Sequence, residues 1–292
     1  MYLVFDIGGS STKYCLIDND KIIKKYSSQS LASMDEFLAF LKATIDEFVK
    51  DYDIEGMGFS SPGTVDSKTY EVSGLTALGY LGEKNFAKII KDSYNVPVAI
   101  ENDANCAALG EIYYNKVCEN LIAFVIIGSG IGGAVVKDGE ILRGLSLESG
   151  EFGYMLFNDF GEIKNLSRLA TLPNVRMTIK EKYGEDYDTY YIFDKYLKKE
   201  EPFYSEVDKM FTYLAMGLYN IAYSINPEVI YIGGAISEDK KFIQSLEEKL
   251  KDDIFAGVSL KIRPVSFFND NNLYGAYANL KMILDKKGGD YD

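Results

Sequence analysis

The chain of 292 residues contains no histidine. A Ser-His-Asp triad, a Cys-His dyad and a His-ligated zinc are therefore excluded. Any general base has to be Asp, Glu, Lys or Tyr. Cysteine is scarce as well. Cys15, Cys106 and Cys118 form no C-x-x-C pair, and an odd count in a long chain is not a disulfide scaffold. This suits a reducing cytosol, so a cytoplasmic location is expected. No apolar run reaches the ~20 residues that a bilayer span requires. The opening Met1–Asp6 lacks a basic stretch and its apolar run breaks at Asp6, so a signal peptide is not expected. Positive charge is in deficit: 31 Lys and Arg face 44 Asp and Glu, for a net charge of -13. A phosphate-coated polymer or an anionic membrane would be repelled, so neither nucleic acid nor membrane is an expected partner. A small neutral substrate is not excluded. Nor is a nucleotide, because backbone N–H groups and Mg²⁺ hold phosphates without a basic surface.

What is present is the mix of a globular protein, 47% hydrophobic and 26% charged, in a chain long enough for two lobes. A weak internal repeat supports that division. Leu3–Ile7, the turn from Gly8, Tyr14–Ile17 and Lys21–Ile23 are echoed by Ala123–Ile127, the turn Gly128–Gly133, Ala134–Val136 and Glu140–Leu142. Each copy reads as strand, Gly/Ser turn, strand, polar turn, strand. A glycine-rich turn lets backbone N–H groups converge on a phosphate with no Cβ in the way. Two such turns imply two lobes gripping one polyphosphate. Helical periodicity over 34–49, 204–224 and 273–284, with apolar strands near 56–60, 96–100 and 228–232, predicts alternating α/β layers. The run Ser60-Ser61-Pro62-Gly63 reads as a turn closing the 56–60 strand. A helix is expected from Ala107 to Tyr114, and the tail 286–292 is expected to fray.

The polar run Glu101-Asn102-Asp103-Ala104-Asn105 interrupts an apolar strand just before that helix. Asp103 has two readings there. It is an N-cap satisfying free helix N–H groups, or a carboxylate turned toward a cleft, able to position a hydroxyl and take its proton. Asp6 and the turn Gly8–Lys13 likewise read as a hairpin or as a phosphate loop whose Asp holds Mg²⁺, directly or through water.

Five blocks in order complete the picture: Asp6-Ile7-Gly8-Gly9-Ser10, Ile100–Asn105, Ile127–Gly133, Gly150-Glu151-Phe152-Gly153-Tyr154, and Asn226-Pro227 through Gly233-Gly234-Ala235. Together they resemble the ROK family of repressors and sugar kinases, from the first residues to Gly275-Ala276. The resemblance implies a two-lobed, actin-like ATPase (ribonuclease H-like) α/β fold with a central cleft. The lobes are expected at residues 1–115 and 116–292, with the last helix, about 273–285, packing back on the first. It implies ATP-dependent phosphorylation of a hexose or N-acylhexosamine at the 6-hydroxyl, with Asp103 as base. It implies that Gly63, Asn102, Asp103, Glu151 and Tyr154 contact the sugar, with Glu101 supporting them. Asp6, Gly8, Gly9, Ser10, Thr12, Lys13, Gly128, Ser129, Gly130, Gly132, Gly233 and Gly234 are implied to bind ATP, with Mg²⁺ at Asp6, and a homodimer is the implied assembly.

The chain also departs from the family. Tyr154 stands where many members carry a His, and the segment Asn158–Arg168 has neither Cys nor His where they carry a zinc loop, so no zinc site is expected. Ser167 occupies the place of a second sugar-binding Glu. These changes alter the hydrogen bonds offered near the sugar's C1 and C2. Zinc-free kinases that this chain resembles include N-acetylmannosamine kinases, so the resemblance places N-acetylmannosamine ahead of glucose, with a β-glucoside or another hexose open and a non-catalytic sugar-binding sensor as the alternative. The family's repressors have a DNA-binding domain ahead of this fold; here the first phosphate strand begins at Tyr2, and no such domain is expected.

Overall fold

The computed structural model of the chain describes residues 1–288 apart from 75, 77, 256, 258, 259, 268 and 269. The expected frayed tail is helical as far as Gly288, and its last four residues lie outside the described ones. The chain folds as two compact α/β units: Met1–Val117 with Gly144–Glu148 and Asn269–Asp292, and Cys118–Arg143 with Ser149–Phe268. No described helix is long and apolar enough to cross a membrane.

The first unit runs β1 (Tyr2–Ile7), β2 (Ser11–Asp18), β3 (Lys21–Gln29), α1 (Met34–Asp51), β4 (Gly56–Ser61), β5 (Thr64–Asp66), β6 (Glu71–Ser73), α2 (Phe86–Ser93), β7 (Val98–Asn102) and α3 (Asp103–Asn115). The second runs β8 (Leu121–Ile127), β9 (Ile131–Lys137), β10 (Glu140–Ile141), β11 (Leu156–Asp159), β12 (Glu162–Asn165), α4 (Leu166–Leu169), α5 (Leu172–Tyr183), α6 (Thr189–Leu197), α7 (Phe203–Ile225), β13 (Val229–Gly233), α8 (Lys240–Lys249) and β14 (Ile262–Pro264). The last helix, α9 (Asn271–Gly288), belongs to the first unit.

The main sheet of the first unit has the order β3-β2-β1-β4-β7, and that of the second β10-β9-β8-β13-β14. In both, a hairpin of three antiparallel strands leads into two parallel ones. The repeated turn pattern in the sequence is thus a repeated sheet. The strands before the turns are apolar almost throughout because both faces are covered. In the first unit Leu3, Phe5 and Ile7 pack with Phe37, Leu41 and Ile45 of α1 and Phe86 of α2. Val4, Cys15 and Ile17 pack on the other face with Cys106 of α3 and Leu273, Ala276 and Tyr277 of α9. In the second unit Val125, Ile127, Ile131 and Val135 pack with Val207, Met210, Phe211 and Leu214 of α7.

α3 and α9 meet backbone to backbone. A Cβ built on Gly275 would lie 1.8 Å from the Cys106 carbonyl oxygen, so only glycine fits there. Because α3 begins at Asp103, this contact fixes the helix that carries the candidate base.

The segment read as missing a zinc loop is the β11–β12 hairpin. Its turn is closed by Gly161 N–H donating to Asn158 Oδ1 at 2.7 Å. Asp159, only 8% exposed, joins Lys164 Nζ at 3.0 Å and Lys209 Nζ at 2.6 Å and accepts the Tyr213 hydroxyl at 3.1 Å. Burial pushes its pKa up, but the bonds from Lys209, Lys164 and Tyr213 outweigh burial and hold it at about 2.

Two stability predictions follow from this packing. Gly275→Ala is expected to lower the urea midpoint by the equivalent of about 1–3 kcal/mol, the usual cost of overpacking; an unchanged midpoint would show that α3 and α9 can separate freely. Asp159→Asn is expected to cost about 1 kcal/mol at neutral pH, because it removes the ion pairs that hold the carboxyl's pKa down and the partly exposed lysines are screened by solvent. A depressed carboxyl stabilises fully above its unfolded pKa and loses that contribution as pH falls from about 4 to about 2. The difference between wild type and Asp159→Asn in urea melts should therefore shrink over that range, and a gap independent of pH would rule out the ion pair as its source.

Candidate active site

In the first unit the carboxyl ends of β1, β4 and β7 lie side by side. Asp6 is in register with Ser60, and Ser60 with Glu101. In open α/β sheets such strand ends are where ligands bind. Asp6 is 8% exposed and lies on the α3/α9 face, because the pleat puts it two residues beyond Val4. Its Oδ1 accepts from Ser60 Oγ and from Asn272 Nδ2, each at 3.1 Å. Burial pushes its pKa up, against the pull of Asn272, Lys13 and Ser60. Lys13 pairs with Asp6 across the hairpin and shares its face, whereas Thr12 pairs with Ile7 and is buried on the opposite, α1 face. The turn between β1 and β2 is closed by Gly8 N–H donating to the Ser11 carbonyl at 3.0 Å. Ser30 braces it, its Oγ donating to Gly8 O at 2.7 Å and its N–H to Ser10 O at 3.1 Å. Gly9 and Ser10 are exposed.

The helix after β7 starts at Asp103, four residues earlier than the sequence suggests, and its N-cap is Asn102. Asn102 Oδ1 accepts the N–H groups of Ala104 at 2.9 Å and Asn105 at 3.1 Å. Its Nδ2 donates to the Gly63 carbonyl at 2.9 Å. The Asn102 amide is thus used within the protein: its oxygen caps the helix, and its nitrogen serves the Gly63 carbonyl and the Asp103 side chain. Gly63 has φ +92, and a Cβ there would meet the Ser73 carbonyl at 2.7 Å, so the Pro-Gly turn needs this glycine. Glu101 is fully buried, and its Oε1 accepts Asn102 N–H at 2.9 Å and Asn105 Nδ2 at 3.0 Å. Asp103 Oδ1 accepts Ala104 N–H at 2.8 Å. Burial raises the Asp103 pKa to about 6, and the negative charge of Asp6 adds to the effect, while the Ala104 and Asn102 bonds oppose it. A carboxylate with a pKa near neutrality, at a helix start beside a turn, is equipped for proton transfer.

In the second unit, Gly128 N–H donates to Gly130 O at 2.8 Å and closes the β8–β9 turn, leaving Gly128 and Ser129 exposed. Beside it lies a cavity of about 380 Å³. Ile127 and Gly128 form one wall, Leu172 and Pro173 at the start of α5 another, and Phe193, Ile236 and Phe242 the apolar remainder, with Glu238 and Asp239 as its acids. The Gly233-Gly234 step leads into it: Ser237 Oγ and N–H both donate to Gly234 O, at 2.7 and 3.0 Å. A Cβ on Gly234 would sit 2.0 Å from Ile127 O, so the step packs directly on the end of β8.

Glu151 precedes a short helical turn, Phe152–Tyr154, held against β9 by glycine contacts. A Cβ on Gly153 would meet the Ile131 carbonyl at 2.0 Å. Tyr154 is 54% exposed. Gly132 lies within β9 rather than in the turn. Ser167, the residue in the place of a sugar-binding Glu, bonds to the backbone of Ile131 instead. Within the first unit the structure therefore gathers Asp6, Lys13, Gly63, Asn102 and Asp103 around three strand ends. Within the second, Gly128 lines the cavity, and Gly233 and Gly234 directly precede its lining residues Ala235 and Ile236. Sequence reasoning missed Ser60, Asn272 and the apolar walls. Only Ser60, at the end of a strand parallel to β1, carried a readable signal.

The ROK family matches the chain over residues 2–282. A β-glucoside kinase of Klebsiella pneumoniae is 31% identical, over 96% of this chain and 95% of its own. The crystal structure of a ROK family protein from Streptococcus pneumoniae in complex with sucrose is 32% identical with a TM-score of 0.87, covering 98% of this chain and 99% of that one. A Listeria monocytogenes protein described as a candidate N-acetylmannosamine kinase is 29% identical with a TM-score of 0.87, covering 97% and 99%. The match runs from β1 into α9 and so takes in both units: the protein belongs to the ROK family and has the α/β, actin-like ATPase fold.

Proposed function

We propose that the protein is an ATP-dependent sugar kinase that transfers the γ-phosphoryl group to a hexose or hexoside hydroxyl, most simply the 6-hydroxyl. The observation that carries this reading is the division of labour at the start of α3, where Asn102 caps the helix and Asp103 keeps a carboxylate of pKa about 6. In the reaction the sugar hydroxyl oxygen bonds to the γ-phosphorus, the bond from that phosphorus to the leaving ADP oxygen breaks, and the hydroxyl proton passes to Asp103. Asn102 holds the Gly63 turn beside it, and its side-chain bond to Asp103 helps to orient the carboxylate.

The glycine-rich turns serve the phosphates. Gly8 and Gly128 use their N–H groups to close the turns, which leaves those of Gly9, Ser10, Ser129 and Gly130 as the donors for phosphate oxygens. The cavity beside Gly128 suits a nucleoside base: apolar walls take the ring, and Glu238 or Asp239 is available to ribose hydroxyls. The groups present fit Mg²⁺ at Asp6. Its hard oxygen donor suits that ion, and a buried carboxylate pushed upward in pKa calls for a cation. Among the described residues no cluster of three ligating side chains exists, so Asp6 would share the ion with phosphate and water. When bound, Mg²⁺ neutralises phosphate charge.

For the sugar, the β-glucoside kinases at 31–32% identity and the loss of partners near C1 support an acceptor with a substituted anomeric oxygen. Tyr154 is largely exposed and Ser167 is engaged elsewhere, so neither demands a free C1 hydroxyl. A β-glucoside therefore moves ahead of N-acetylmannosamine and glucose.

ADP release should be measured with Mg·ATP over a panel of β-glucosides, N-acetylmannosamine and glucose. Release with none of them, alongside measurable sugar binding, would replace the kinase with a sugar sensor. Asp103→Asn is expected to lower kcat by at least ~10²-fold while sugar affinity stays within a few-fold. Wild-type-like turnover in that variant would remove the base assignment. Because the base acts deprotonated, kcat/KM of the wild type should climb about tenfold per pH unit below about pH 6 and level off above it; a profile flat through that region would show that another group takes the proton.

A further inference from the structure

Ser167 follows the β11–β12 hairpin by two residues and lies in α4. Its hydroxyl is engaged from both sides by one residue. Oγ accepts Ile131 N–H at 2.9 Å and donates to Ile131 O at 3.3 Å. Ile131 is the first residue of β9, immediately after the Gly128–Gly130 turn. A Cβ added at Gly130 would come within 3.3 Å of Ser167 Oγ, and one at Gly153 within 2.3 Å. The hydroxyl is therefore wedged between the turn, the start of β9 and the segment that carries Glu151. Asn174 stands behind it in α5: its Nδ2 donates to Ser167 O at 2.9 Å and to Thr171 Oγ1 at 2.7 Å, and lies 3.4 Å from the Ser129 carbonyl in the turn itself.

A serine hydroxyl has one proton to give and two lone pairs. Here the proton goes to Ile131 O and one lone pair takes Ile131 N–H, which leaves little with which to recognise a sugar. We propose that Ser167, backed by Asn174, is a positioning residue for the second glycine-rich turn, holding Ser129 and Gly130 in the conformation that receives nucleotide phosphate, and that it takes no part in sugar recognition. The inference rests on the kinase reading of that turn. A turn with exposed N–H groups binds an anion well only if its conformation is set beforehand, since otherwise binding has to bear the cost of ordering it. Two anchors, one on the residue after the turn and one reaching a carbonyl inside it, set that conformation without occupying the N–H groups.

The test is calorimetric titration of Mg·AMPPNP, and separately of the best sugar from the panel, into wild type, Ser167→Ala and Asn174→Ala, each shown to be folded by circular dichroism and thermal melting. Ser167→Ala is expected to weaken nucleotide binding at least ~10-fold, the scale of a lost hydrogen bond with its partner left unsatisfied, and Asn174→Ala about 3-fold. Sugar affinity should stay within about twofold in both. In turnover, KM for ATP should rise more than kcat falls, a split that loss of stability alone would not produce. Equal nucleotide affinity in wild type and both folded variants would overturn the proposal. So would a loss of sugar affinity with nucleotide binding intact, which would return the hydroxyl to the sugar. If Ser167→Ala does not fold, Asn174→Ala, which leaves the Ile131 bonds in place, decides the matter alone. Absence of AMPPNP binding by the wild type is a separate outcome that sinks the kinase reading itself.

Discussion

The first turn of α3 presents backbone N–H groups that have to be satisfied, and which side chain satisfies them decides what Asp103 can do. Asn102 takes that role with a neutral oxygen, accepting from Ala104 and Asn105. Its amide nitrogen simultaneously holds the Gly63 carbonyl, so one side chain starts a helix and ties down a turn. Glu101, fully buried, supports it from below by taking the Asn102 N–H and the Asn105 side chain. Asp103 is left at the helix start with local bonds from Ala104 N–H and from the Asn102 side chain. Had Asp103 been the cap, its charge would have been stabilised by several N–H groups and its pKa driven down, away from the range useful in a base. Burial next to Asp6 drives it the other way.

The parts of this arrangement that were legible in the sequence are those written locally. The strand–turn–strand repeat at Leu3–Ile23 and Ala123–Leu142 showed the two sheets, because a glycine turn between apolar runs admits few other structures. Asp6 and the glycine turns stood out for the same reason. The start of α3 was misplaced because Glu101–Asn105 is polar enough to read as a loop. In fact Asn102 is the cap and Asp103 lies in the first turn, where a negative charge is favoured by the helix dipole. Contacts between distant residues were not legible at all. Asn272 reaches Asp6 across 266 positions and Ser167 reaches Ile131 across 36, and no periodicity in either segment announces a partner in the other.

The β11–β12 hairpin shows the same limit from another side. Read as a string, Asn158–Arg168 is notable for the Cys and His it does not contain. In the fold it is a hairpin pinned by one carboxylate, Asp159, to a lysine within the hairpin and to Lys209 and Tyr213 on α7. Breaking a buried ion pair leaves a charge without compensation, so such a cluster pins a segment firmly even where its net contribution to stability is modest. That pinning bears on the chemistry, because α4 follows the hairpin directly and carries Ser167 toward the start of β9.

Both candidate halves of the machinery are placed by backbone approaching backbone. Gly275 lets α9 press against α3 at Cys106, one turn into the helix that Asp103 begins. Gly153 lets the Glu151 segment lie against Ile131 in the second unit. A side chain interposed at either point would add a rotamer and a flexible spacer; its absence leaves a rigid contact whose geometry follows from covalent structure alone. General base catalysis and phosphate binding both depend steeply on position, and misplacement by about 1 Å is enough to cost roughly 10²-fold in rate. On the proposed reading, glycine at these two contacts is therefore as much a part of the chemistry as the carboxylate and the turn they hold in place.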